Sequence, residues 1–210
     1  ELPSGALGTR EATTSVTVAA LLFVFAASRL NVLCAWLSPV ALAWVFSYSY
    51  TKRFTRWSHV VLGVGMAIAP VGGYLAVAGQ WGQPWWMLLA LALAVTTWGA
   101  GFDILYALQD RTFDLSQGLH SIPVALGVPG AMRLSRVFHV VTVLSLGAVG
   151  LVTGGGWLFA AGVAVASALF LYEHSLVSAD DLSRLDAAFF TVNGVISVVF
   201  FVFVAIDTIA

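Results

Sequence analysis

Asp103, Asp110 and Asp114 follow one another at intervals of seven and four residues in the stretch Gly101-Phe102-Asp103-Ile104-Leu105-Tyr106-Ala107-Leu108-Gln109-Asp110-Arg111-Thr112-Phe113-Asp114. At about 100° per residue, a helix continuing through this stretch carries all three carboxylates within roughly 40° of one another, with Tyr106 beside them. Like charges so placed repel and raise one another's pKa, and a hard divalent cation removes that cost. Mg2+ does this characteristically with one or two carboxylates, several waters and the oxygens of a substrate phosphate. The alternative is a set of solvated charges where a helix leaves a membrane. A second group stands at Tyr48-Ser49-Tyr50-Thr51-Lys52-Arg53, where Tyr48 and Lys52, at i and i+4, share a helix face. Spacing alone serves Lys52 and Arg53 equally well as partners of an anion and as anchors at a membrane surface.

The elements that must position these residues are membrane helices. Of 210 residues, 9% are charged and 60% are hydrophobic, where a soluble domain carries about 25% charge. Uncharged runs cover 12–28, 30–51, 57–102, 137–172 and 187–206, and a spanning helix needs about 20 predominantly apolar residues. This excludes a soluble globular enzyme, a nucleic-acid binder with a basic face and a disordered tail. It also disfavours a β-barrel, whose strands alternate polar and apolar residues. A lone Cys34 excludes a disulfide scaffold and reads as a small buried hydrophobe.

Two breakers, Gln80-Trp81-Gly82-Gln83-Pro84 and Gly154-Gly155-Gly156, divide the longest runs. The fold class is therefore an all-α polytopic bundle of seven spans, at about 13–29, 33–50, 58–79, 84–103, 135–153, 157–173 and 187–207. Ser183 with Asp186 reads as a capping box opening the last span. Arg10, Lys52, Arg53, Arg56, Arg111, Arg133, Arg136 and Arg184 fall on alternate sides of these spans from Arg29. Basic residues concentrate in cytoplasmic loops, so the N-terminal end lies inside, the C-terminal end outside, and the carboxylate-rich mouth faces the cytoplasm of the inner (plasma) membrane. All acids but Asp207 fall on that side. Asp180, Asp181, Arg184 and Asp186 read as a solvated loop, and His139 as a hydrogen-bonded packing residue.

The stretch from Gly101 to Asp114, followed by Gly118-Leu119-His120-Ser121-Ile122-Pro123, closely resembles the second aspartate-rich motif of the UbiA-type intramembrane prenyltransferases, in particular the 4-hydroxybenzoate polyprenyltransferase branch. Tyr48 through Lys52 resembles that family's Tyr-x-x-x-Lys element. Leu2-Pro3-Ser4-Gly5 is similar to the loop after its first aspartate motif. Tyr172-Glu173-His174-Ser175-Leu176-Val177 through Asn193-Gly194 also looks like this branch.

The resemblance implies Mg2+-bridged binding of a polyprenyl diphosphate. Asp103, Asp110 and Asp114 are then the metal ligands, and Asp110, Asp114 and Lys52 the catalytic set. Lys52, Arg53, Tyr48 and Tyr106 contact the diphosphate. His120 and Ser121 are the candidates for binding substrate, with ordering of their loop as the alternative. The isoprenoid tail would lie along small-residue surfaces such as Gly63, Gly65, Gly72 and Gly73, which serve close helix packing as readily. The implied reaction is prenyl transfer to an aromatic acid in quinone biosynthesis, with a dihydroxynaphthoate as the alternative acceptor; from another class, the alternative is a secondary transporter. Partners are the diphosphate, the aromatic acid and the bilayer, with no nucleic acid. Family members have nine helices and a first Asn/Asp-rich motif. Residues 1–210 are thus expected to form a single transmembrane prenyltransferase domain lacking the first two helices and that motif, and to be inactive alone.

Overall fold

Backbone amides in a hydrocarbon environment find hydrogen-bond partners only within helices or closed barrels, and the long uncharged runs take the helical solution. In a computed structural model, which describes Gly5 and residues 8–210, there is no strand among the described residues. Leu2, Pro3 and Ser4, compared above with a family loop, lie outside them. The helices are α1 (Thr9–Leu30), α2 (Val32–Thr51), α3 (Ser58–Ala78), α4 (Trp86–Tyr106), the short α5 (Arg111–Ser116), α6 (Ile122–Thr153), α7 (Trp157–Ser175) and α8 (Asn193–Ile209), the last entered through a π-helical turn, Ala187–Val192. Seven are long and apolar enough to cross a membrane.

Three expectations are corrected. α4 does not continue to Asp114. It ends at Tyr106, and amides from Leu108 to Arg111 bond three residues back, as in Asp110 to the Ala107 carbonyl at 3.1 Å. This tighter winding turns Ala107 and Leu108 onto the core, so the three carboxylates do not share one helix face. The helix that carries the fifth span begins at Ile122, not near 135. Gly127, at φ 67°, and Pro129 kink α6 near its start. The capping box at Ser183 is not formed. The Ser183 amide donates instead to Asp181 Oδ1 at 2.9 Å, an Asx turn in which the Ser183 amide and hydroxyl hold the Asp181 carboxyl below its ordinary range.

At the end of the bundle away from the carboxylates, Asn31 alone joins α1 to α2. Its side chain accepts from the Cys34 amide at 2.9 Å and donates to the Leu75 carbonyl at 2.9 Å. Cys34 is buried with Ala27, Leu75, Met87 and Leu88. Asp207, the one acid at this end among the described residues, accepts from the Gly156 amide at 2.8 Å and so occupies the N-terminus of α7.

α3, α4 and α6 pack most closely. Lipid is as apolar as a leucine side chain, so contact between these helices depends on small residues that let backbones approach and on hydrogen bonds. Gly63 lies against the Thr96 backbone, Gly99 against Gly63 and Met66, and Gly101 against the His139 ring. Ser135 Oγ donates to the Gly101 carbonyl at 2.7 Å, and the Thr97 and Thr142 hydroxyls meet at 2.8 Å. A Cβ at Gly63 would collide with the Thr96 carbonyl, whereas one at Gly72 would meet nothing within 4 Å. Gly63→Ala should therefore destabilise the bundle by about 1–3 kcal/mol. Gly72→Ala should be neutral or slightly stabilising, because alanine is the better helix former. Thermal unfolding of both variants in nanodiscs measures the contrast.

Candidate active site

The carboxylate end is assembled from the corner between α2 and α3, the end of α4 and the loop carrying α5. Lys52 caps α2, and its Nζ lies 3.1 Å from Asp114 Oδ2 and 3.7 Å from Asp110 Oδ2. The loop is tied to the same residue through its backbone, since the His120 amide donates to the Lys52 carbonyl at 2.7 Å. The Leu119 amide donates to the Asp114 carbonyl at 2.8 Å, and Arg111 Nε to the Pro123 carbonyl at 3.0 Å. Asp114 is 1% exposed, so its charge depends on Lys52 for compensation. The Asp110 side chain is 48% exposed.

Asp103 has a different partner. His59, in the first turn of α3, places Nδ1 2.7 Å from Asp103 Oδ2. Tyr48 lies within electrostatic reach of both Asp103 and Asp110. The structure thus brings together Tyr48, Lys52, Asp103, Asp110 and Asp114. Arg53 turns outward, its guanidinium 5.3 Å above the Tyr50 ring. His120 is exposed beside Lys52. Ser121 is fully buried and accepts from the Val124 amide at 3.4 Å as the N-cap of α6.

Tyr106 stacks on Phe189 at 4.1 Å between ring centroids, and the position of Phe189 traces back to a buried polar chain. The π-helical turn displaces backbone carbonyls from their usual amides, and Asn193 Nδ2 donates to two of them, Ala188 and Phe189, both at 3.1 Å. The same amide donates to Glu173 Oε1 at 3.1 Å, and Asn193 Oδ1 accepts from Trp98 Nε1 at 2.7 Å. Glu173, like Asp114, is fully buried. His139 packs beside it, bonded to His174 at 3.0 Å and stacked on Phe170.

His59, Glu173 and Asn193 are the site-supporting residues that spacing did not single out. His59 opens an apolar run without a spaced partner, and Glu173 sits at a run's end, where an acid ordinarily reads as solvated.

The donor set fits a hard divalent cation. Lys52 is paired with two of the three carboxylates, Asp110 and Asp114, while Asp103 meets His59. Among the described residues no three Asp, Glu, His or Cys side chains gather closely enough to enclose an ion.

These features define a multi-pass helical membrane protein with a charged, acid-rich site at one mouth. The sequence profile of the UbiA prenyltransferase family matches residues 1–203, and the chain belongs to that family. It is 32% identical over 209 residues to a 4-hydroxybenzoate octaprenyltransferase of Aromatoleum aromaticum, spanning 100% of this chain and 69% of the relative. A solved apo structure of a UbiA homolog from Aeropyrum pernix superposes with TM-score 0.88 at 28% identity, over 99% of this chain and 76% of that one. A structure of digeranylgeranylglyceryl phosphate synthase shares the fold, with TM-score 0.71 at 16% identity over 96% of this chain and 72% of that one.

The burial of Asp114 gives the site a stability signature. Lys52→Met should cost about 3 kcal/mol, because it leaves a buried carboxylate unpaired. Asp110→Asn, at a half-exposed position, should cost less than about 1 kcal/mol. Unfolding of the two variants in the same lipid measures the difference.

Proposed function

We propose that this protein transfers a polyprenyl group from polyprenyl diphosphate to an aromatic acid of the 4-hydroxybenzoate type in quinone biosynthesis, with Mg2+, at the cytoplasmic mouth of the inner membrane. The observation that carries the reading is the joining of Lys52, Asp110 and Asp114 at one mouth, with Asp103 and Tyr48 alongside. It is supported by relatives named 4-hydroxybenzoate octaprenyltransferase.

Transfer begins when the allylic carbon–oxygen bond breaks, leaving a delocalised cation and a free diphosphate. The aromatic ring captures the cation and then loses a ring proton. No protein nucleophile is required; the barrier falls through positioning and stabilisation of the leaving group. Mg2+, when bound, supplies positive charge that neutralises the diphosphate. Asp103, Asp110 and Asp114 would hold that ion. Lys52 would meet a diphosphate oxygen directly, and Tyr48 would hydrogen-bond one. Tyr106, stacked on Phe189, offers an aromatic face to a developing carbocation. Arg53 and His120, both exposed near this mouth, are the remaining candidates for substrate contact. Gly65, Gly72 and Gly73 border an apolar cleft of about 450 Å3 between α1, α2 and α3, space suited to an isoprenoid tail. Gly63 is committed to helix packing.

The test is prenyl transfer by the full-length protein in membranes, with 4-hydroxybenzoate and 1,4-dihydroxy-6-naphthoate offered separately. The expected result is product from 4-hydroxybenzoate that disappears with EDTA and returns with Mg2+. Asp110→Ala should lower kcat/KM about 100-fold, roughly 3 kcal/mol of transition-state stabilisation. Product from the naphthoate alone would move the enzyme to menaquinone formation. Transport that depends on Asp110, with no product from either ring, would overturn the enzyme reading.

A further inference from the structure

Asp103 is the one carboxylate of the three that Lys52 does not reach. Its contact is with His59, which is 1% exposed on the first turn of α3. Lys52 and His59 flank the short corner between α2 and α3, so one corner supplies a partner to each side of the acidic mouth.

The proton of this contact can be placed from the surroundings of the ring. His59 Nε2 is buried with no hydrogen-bond partner among the described residues. A proton there would be an unsatisfied buried donor, more costly than an unused lone pair. The neutral ring therefore carries its hydrogen on Nδ1 and donates it to Asp103 Oδ2. Among the described residues only that oxygen is engaged by a side chain, and the Asp103 side chain remains 16% exposed. The spacing between the two helices is held rigidly from below, where Gly63 lies against Thr96 and Gly99 against Met66.

We infer that His59 is the positioning residue for Asp103, fixing one carboxylate oxygen so that the other is presented to the diphosphate-bound cation. The inference rests on the function proposed above. Carboxylates that bind metal ions are themselves held by hydrogen bonds, and losing such a partner typically weakens metal binding by about 10- to 100-fold. A merely structural His59 would fill space between α3 and α4, and any residue of similar volume that folds would serve.

The distinguishing experiment is Mn2+ binding, followed by electron paramagnetic resonance, to the full-length protein in nanodiscs with an unreactive allylic thiolodiphosphate. Four proteins are compared: wild type, His59→Asn, His59→Gln and His59→Leu. Asparagine places its amide N–H where Nδ1 stood, and glutamine places it near Nε2. His59→Asn should bind Mn2+ within about threefold of wild type. His59→Gln and His59→Leu should bind about 10- to 100-fold more weakly. His59→Leu combined with Asp103→Asn should be no weaker than Asp103→Asn alone. If His59→Leu does not fold, the contrast between Asn and Gln carries the test. Equal binding by all folded variants, or equal loss in Asn and Gln, overturns the positioning role while leaving the proposed function standing. A wild type that binds no Mn2+ with the analogue overturns both.

Discussion

Asp114 is buried with a single ammonium 3.1 Å away, and much of the geometry at the mouth follows from keeping that charge paired. Pairing it requires the end of α2 and the short helix α5 to touch, although 62 residues separate the partners. The backbone bond from His120 to the Lys52 carbonyl closes the same contact from the far end of the loop. A buried ion pair is weak evidence for stability, since an apolar pair of the same volume often does as well or better. Its presence at an accessible mouth is therefore better explained by what Lys52 and its two carboxylates can bind than by the fold they join.

The second constraint is lateral. Gly63 and Gly99 bring α3 and α4 into backbone contact, while Gly101 admits the His139 ring of α6; the first contact sets Asp103 at hydrogen-bond distance from His59. The third lies on the other side of α4. There Trp98, Asn193 and Glu173 form a buried chain that stabilises a π-helical turn, and the turn aims Phe189 at Tyr106. Lys52, Asp103, Asp110 and Asp114 are thus each held by a partner from another element. This is the preorganisation that a reaction stabilised by charge placement requires.

The spans were legible because membrane helices are long uncharged runs; Gln80–Pro84 and Gly154–Gly156 separate them as glycine and proline chemistry suggests. The start of α6 was not legible, since Gly127 and Pro129 break up its first turns and here only kink the helix that Ser121 and Pro123 open. Asp103, Asp110 and Asp114 were legible as a group but not in their arrangement. A uniform helix aligns them, while burial of Ala107 and Leu108 winds the chain tighter and sends each acid to its own partner. His59 carried no signal, because its meaning comes from a residue 44 positions away. Glu173 and Asn193 were legible only as part of a family-like stretch; that they face each other in a buried chain is not written in their spacing.

The central claim is that Lys52 and Asp114 are kept for binding and catalysis rather than for folding. Replacing both, Lys52→Met with Asp114→Leu, removes the buried charge along with its partner and separates the two roles. Thermal unfolding and prenyl transfer measured on the same nanodisc preparation give the answer. The expected result is wild-type stability or better with transfer lowered by at least about 100-fold. A stable double variant that transfers prenyl groups at the wild-type rate would contradict the claim.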